Sequence, residues 1–212
     1  MELFNYFRSS ASYRVRIALA LKGLDYDYRS VHLAKNEQFN ESYAAIQASR
    51  LVPLLRDGEV AISQSMAIIE YLDETHPEPA LLPRDPVQRA YARALAQDIA
   101  CEIHPVNNLR VLRYLTKELG VSEENKDRWY RHWVETGLEV VEQRLLREGF
   151  AGAFCCGDTP GLADCVLVPQ IFNAKRFNAR LDHVPTVMKI FERCMALDAF
   201  AKTQPSACPD AE

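Results

Sequence analysis

The chain has no cysteine before Cys101, and its six cysteines (Cys101, Cys155, Cys156, Cys165, Cys194 and Cys208) contain no C-x-x-C pair. Adjacent Cys155-Cys156 is a poor spacing for a disulfide or a metal. Reduced thiols are therefore expected, and with them a cytoplasmic location. The five histidines show no H-E-x-x-H or related spacing, so no metal is expected. A basic surplus is missing as well: 25 Lys and Arg stand against 29 Asp and Glu, a formal net charge of -4, which argues against a nucleic-acid partner. No apolar run reaches the roughly 20 residues that span a bilayer, and the start of the chain has no signal-peptide pattern, so no membrane partner is expected. Internal repeats and low-complexity segments are also absent. What remains is 212 residues of ordinary composition, enough for one large domain or two small ones.

The first 76 residues alternate strand and helix. Glu2–Phe7 reads as a strand, and Ser12–Lys22 as a helix that carries Val15, Ala18 and Leu19 on one face and stops at Gly23. Tyr26–Val31 reads as a second strand and Gln38–Ala48 as a weaker helix. Leu54–Arg56 and Glu59–Ile62 form a hairpin about Asp57-Gly58, and Ser65–Glu74 is a third helix with Ile68, Ile69 and Leu72 apolar. The order β-α-β-α-β-β-α describes a small mixed sheet covered by helices. Four prolines between His76 and Pro86 then mark a linker. Beyond it the pattern is helical: Val87–Cys101, His104–Leu119, Lys126–Arg147, Leu162–Arg176 and Thr186–Leu197. Leu162–Arg176 is apolar on nearly every side at its start and is expected to be buried and kinked at Pro169. The tail from Gln204 is polar and reads as loose. The expectation is an α/β domain over 1–82 and an all-α domain over 87–212.

The turn Arg8-Ser9-Ser10-Ala11-Ser12 puts hydroxyls and free N–H groups at the start of a helix. That place suits a thiolate or another small anion. With no cysteine nearby, such a thiolate must arrive on a ligand. Serine is also a preferred helix cap, and for the turn taken alone capping is the favoured reading. Gln64-Ser65 opens another helix, where Ser65 can cap or hold a carboxylate. Val52-Pro53, taken by itself, reads as an ordinary loop proline. Asp164, three residues after Gly161, reads as a structural helix-capping carboxylate.

A thioredoxin-like N-terminal domain followed by an all-helical domain resembles the cytosolic glutathione transferase superfamily over almost the whole chain. Ser9-Ser10-Ala11-Ser12-Tyr13-Arg14-Val15-Arg16-Ile17-Ala18-Leu19 resembles the signature of its zeta class, although that class often has cysteine in place of Ala11. Gln64-Ser65 with Ile68–Leu72, and Val166-Leu167-Val168-Pro169-Gln170 with Arg176-Phe177, are similar to the same class. The resemblance implies glutathione as cofactor, a homodimer, and a glutathione-dependent cis–trans isomerase acting on small diacids. Its members are typically maleylacetoacetate isomerases, and maleylpyruvate isomerases resemble them closely. A broader transferase or dehalogenase and a non-catalytic binding module remain open. By residue, the resemblance implies Ser9, with Ser10 second, as the group that activates the thiol. It implies a cis bond at Val52-Pro53 that exposes a strand-like edge, and Gln38, Val52, Gln64, Ser65, His104 and Asn108 as further glutathione contacts. Arg8, Arg110 and Arg176 are the candidate partners of substrate carboxylates, because guanidinium pairs with carboxylate in a bidentate fork.

Overall fold

The computed structural model describes residues 1–212, which divide into two units: Met1–Leu81 together with Met195–Glu212, and Leu82–Cys194. In the first unit β1 (Glu2–Asn5) leads into α1 (Ser10–Leu21), followed by β2 (Asp27–Ser30), α2 (Glu41–Ile46), β3 (Leu54–Asp57), β4 (Val60–Ser63) and α3 (Ser65–Thr75). The strands form one sheet in the order β2-β1-β3-β4, with β1 parallel to β2 and antiparallel to β3. This is the expected thioredoxin-like order. Gly58, at φ +57, makes the tight turn between β3 and β4 that Asp-Gly announces. Gly23, at φ +63, ends α1 as a left-handed C-terminal stop. Leu3 and Leu55 from the sheet, Ile17 and Leu19 from α1, and Ile68 and Leu72 from α3 are fully buried and form the centre of the unit.

The helix expected over Gln38–Ala48 is shorter. Only Glu41–Ile46 is α-helical, and two 3-10 turns, Leu33–Lys35 and Glu37–Phe39, precede it. Asn36 between them adopts φ +62, which a right-handed helix cannot contain.

The second unit contains α4 (Pro86–Gln97), α5 (Leu109–Lys117), α6 (Glu123–Arg147), α7 (Leu162–Arg176) and α8 (Pro185–Met195) up to Cys194. No helix is long and apolar enough to cross a membrane. The helix expected from His104 begins only at Leu109. A π-helical stretch, Asp98–Ile103, continues α4, a 3-10 turn occupies Pro105–Asn107, and Asn108 caps α5 by accepting from Arg110 N at 3.1 Å. Pro105 has no N–H to extend a helix from the preceding turn. α7 is the buried helix the pattern indicated and runs as one element through Pro169. Asp164 caps it, accepting from Gly161 N at 2.9 Å and Cys155 N at 3.0 Å. Burial pushes this carboxyl above the usual carboxylate value, and the two N–H donors pull it back. Trp129 donates to Val106 O at 3.0 Å, whereas Trp133 packs edge-on against it and stays 36% exposed.

Gly137 of α6 lies against the π-helical stretch. A Cβ there would sit 2.3 Å from Ile103 Cγ1, whose side chain is 1% exposed. Gly137→Ala is expected to cost about 1–3 kcal/mol by overpacking, read by urea unfolding. Combined with Ile103→Ala the two losses should add to less than their sum. A loss below about 0.5 kcal/mol for Gly137→Ala would mean that this contact yields freely.

The C-terminal residues correct two expectations. Met195–Glu212 belong with the first unit rather than with a helical domain that runs to residue 212. The tail from Gln204 is also held rather than loose. After α9 (Asp198–Ala201) and a 3-10 turn at Pro205–Ala207, Asp210 accepts from Ser30 Oγ at 2.8 Å, and Glu212 pairs with Lys35 at 2.5 Å. The polar groups that looked like a solvated end answer donors of the sheet and of its loops.

Candidate active site

The pairing register gathers the candidate residues of the first unit. Phe4 of β1 lies opposite Leu54, the first residue of β3, and Leu54 lies opposite Ser63, the last residue of β4. The carboxyl end of β1, the amino end of β3 and the carboxyl end of β4 therefore meet at one end of the sheet. From that end leave the Ser9 turn, the Val52-Pro53 turn and the Gln64-Ser65 helix start. β2 runs parallel to β1, with Ser30 opposite Asn5, so the segment leading to Gln38 departs from the same end.

Ser9 is the N-cap of α1 and its Oγ accepts from Ser12 N at 3.2 Å. The hydroxyl proton is thus left to point away from the helix. Ser9 is partly exposed, whereas Ser10 is 6% exposed. The Val52-Pro53 bond is cis, and Val52 packs with Tyr6, Phe7 and Leu54 beside the Ser9 turn. Gln64 stands at φ +72, ψ 115 as the N-cap of α3. A side chain in that region costs of order 1–3 kcal/mol and persists where the surroundings hold it. Ser65, 5% exposed, accepts from Nη1 of the buried Arg14 at 3.2 Å. The guanidinium thus occupies a lone pair of Ser65 and leaves its O–H proton for another acceptor, with a positive charge behind it. Gln38 is 6% exposed and its Oε1 has no hydrogen-bond partner, an acceptor turned inward without a donor. Arg8 is exposed. Its Nε donates to the Tyr6 hydroxyl at 3.1 Å, and its guanidinium stands 5.1 Å from the Phe7 ring centre.

In the second unit, His104 Nε2 lies 3.5 Å from Asn108 Nδ2. They meet across a turn rather than along one helix face, and Asn108 spends its Oδ1 on capping α5. Arg110 is exposed on α5. Arg176 ends α7, also exposed, with its guanidinium 4.9 Å from the Phe177 ring centre. Phe177 stacks on Tyr130 at 3.6 Å, and Asn107 Nδ2 donates to Tyr130 O at 3.3 Å. Tyr130 of α6 therefore ties the His104–Asn108 segment to the end of α7. Burial pushes the Tyr130 phenol up to about 12, and the Arg176 charge acts in the opposite direction.

Residues 3–80 match the family model of the glutathione S-transferase N-terminal domain. The chain is 49% identical over 211 residues to a probable maleylacetoacetate isomerase of Vibrio cholerae, covering 99% of this chain and 97% of that one. It superposes with a TM-score of 0.98, at 43% identity and over 100% of both chains, on the holo structure of maleyl pyruvate isomerase, a bacterial glutathione S-transferase of the zeta class. The chain belongs to the zeta-class glutathione transferases. A further likeness is a maleylacetoacetate isomerase of Methylobacterium extorquens AM1 solved with malonate and glutathione bound, with a TM-score of 0.97, 38% identity and 100% coverage of both chains.

Two residues of this zeta-class transferase escaped the reading of the sequence. Arg14 has no role of its own in the signature run, yet it supports Ser65 from inside at 2% exposure. The available signal was Val15, Ile17, Ala18 and Leu19 around it, a helix too apolar to keep one face in water. Tyr130 had no motif, and only its contacts with Asn107 and Phe177 distinguish it.

Proposed function

We infer that this chain is a glutathione-dependent cis–trans isomerase that converts maleylacetoacetate to fumarylacetoacetate. The observation that carries this reading is the sheet end at which the Ser9 turn, Val52-Pro53 and Gln64-Ser65 meet. The donor set fits glutathione: a hydroxyl and a helix N-terminus for the thiol, a strand-like backbone at Val52 for the peptide, and Ser65 at a second helix N-terminus for the γ-glutamyl carboxylate. Bound glutathione would supply a thiolate for reversible addition to the conjugated cis double bond, allowing rotation while that bond is single and leaving the trans alkene once the thiolate is expelled. Ser9 donates its proton toward the sulfur and, with the N-terminus of α1, favours the ionised form. Gln64 and Ser65 fix the glutamyl end, Val52 holds the cysteinyl backbone, and Gln38, His104 and Asn108 serve the remaining polar groups. Arg8, Arg110 and Arg176 orient the carboxylates of the diacid and offset the charge that develops beside them. We further assign the protein to the cytoplasm as a homodimer.

Maleylpyruvate isomerisation is the second reading, favoured by the TM-score of 0.98 to an enzyme of that name. Isomerisation of both acids, followed by absorbance with and without glutathione and coupled to the matching hydrolase, tests both. Turnover that requires glutathione without consuming it supports the isomerase, and the better substrate chooses between the acids. Glutathione binding with no turnover on either acid points to a transferase or dehalogenase, and failure to bind at millimolar concentration to a binding module. Arg176→Ala is expected to raise the KM for the diacid about tenfold with a smaller effect on kcat. An unchanged KM would remove Arg176 from the site.

A further inference from the structure

The turn that carries Ser9 is held from the far end of the sequence. Ser9 N donates to Tyr6 O at 3.0 Å and closes the turn. Inside it, the Phe7 N–H donates to Asp210 Oδ2 at 3.3 Å, 203 residues away, and the Phe7 carbonyl accepts from Arg16 Nη2 at 3.0 Å. The Asp210 carboxylate is itself fixed independently of the turn. Ser30 Oγ donates to it at 2.8 Å and the Tyr28 hydroxyl donates to its other oxygen. Burial and that bond hold the Tyr28 phenol well above its ordinary value, so it remains the donor. Next to Asp210, Cys208 is 9% exposed and packs with Tyr6, Phe7 and Val52. Beyond it, Glu212 stands 3.4 Å from His32 Nε2, and the His32 ring packs edge-on against Tyr6 at 4.8 Å. Residues 208–212 thus form a strap across the end of β1, just before Ser9.

We propose that Asp210 is a positioning residue for the reaction: by holding the Phe7 N–H it fixes the peptide planes of the Tyr6–Ser9 turn, and so sets how well Ser9 and the start of α1 stabilise a thiolate. The inference rests on the glutathione reading above and goes beyond it, because Asp210 acts through the turn without touching a ligand. Stabilisation of an anion by a hydroxyl depends steeply on distance and angle, and a turn freed at Phe7 loses that aim before it loses the ligand's other contacts.

The test uses the full chain with Asp210→Ala, Asp210→Asn and Tyr28→Phe. The thiolate absorbance of bound glutathione is titrated against pH, beside calorimetric glutathione affinity, steady-state kinetics and thermal unfolding. Asp210→Ala should move the bound thiol upward by about one pH unit and lower kcat near neutrality about tenfold, with the KM for the diacid within about twofold. Asp210→Asn keeps a carbonyl oxygen for Phe7 N–H and should recover most of the loss. Tyr28→Phe removes one anchor of the carboxylate and should shift the thiol in the same direction by less. It carries the same test if Asp210→Ala does not fold. A thiol titration unchanged in folded Asp210→Ala, or unchanged in folded Tyr28→Phe when Asp210→Ala does not fold, overturns the proposal. So does a fall of kcat only in step with affinity and melting temperature. The unaltered chain is titrated first. If it binds no glutathione, or binds it without ionising it, the functional reading fails, which is distinct from failure of the strap.

Discussion

Replacing Ser9 by alanine is expected to lower turnover by about two to three orders of magnitude, with glutathione affinity changed less than about threefold. The Ser9 oxygen is already committed to Ser12 N–H at 3.2 Å, so its proton is what it offers a ligand. Alanine removes both bonds, and the lost cap by itself costs about 1 kcal/mol of stability. Ser9→Gly separates the two effects, because glycine caps a helix within a few tenths of a kcal/mol of serine but has no hydroxyl. Both variants should lose turnover equally, and only the alanine variant should melt earlier. Near-normal turnover in Ser9→Gly would end the assignment and pass the role to Ser10, whose 6% exposure makes it the harder group for a ligand to reach.

The second large effect is on stability. Arg16 is 1% exposed and donates to Asn5 Oδ1, Tyr6 O, Phe7 O and Thr203 O at 3.0–3.4 Å. Of these acceptors, Tyr6 O keeps the Ser9 N–H if the guanidinium is removed. Asn5 Oδ1 and Phe7 O lose a donor in a buried place, and Thr203 O in a partly buried one. Arg16→Ala is therefore expected to cost about 3–5 kcal/mol in urea unfolding. Arg16→Lys should recover only part of this, since an ammonium cannot spread its donors over a planar fork. A loss under about 1 kcal/mol would mean that water enters and replaces the guanidinium.

The sheet was legible because its signals are local. Gly23, Asp57-Gly58 and Ser65 mark stops and starts within a few residues of the elements they bound, and apolar spacing did the rest. The His104–Leu119 pattern misled because apolar periodicity continues through a segment whose backbone Pro105 and Asn108 interrupt. Arg14 and Arg16 enter the sequence reading only as members of the Ser9–Leu19 run, with no role of their own, and only packing shows that a helix this apolar takes them inside. The tail was illegible for a different reason: Asp210 meets Phe7, Tyr28 and Ser30 across 180 to 203 residues, and no local pattern records a partner so distant. At the site, serine caps helices and holds anions with the same atoms. The sequence does not separate the two uses; the structure shows the capping one, with the Ser9 oxygen accepting from Ser12 N–H, and the other belongs to the proposed function.

The division of one folding unit between residues 1–81 and 195–212 also sets a schedule for synthesis. Arg16 and the Thr203 carbonyl it holds are 187 residues apart. At about 5–20 residues per second, a ribosome needs roughly 10–40 s to supply that partner. During that interval the whole of Leu82–Cys194 is made and can fold, while the earlier-made sheet waits with a guanidinium and a tyrosine hydroxyl still lacking their acceptors, Thr203 O and Phe200 O. The segment translated first is thus the later one to be completed, and in the growing chain it is the sheet, rather than the helices, that chaperones would meet unfinished.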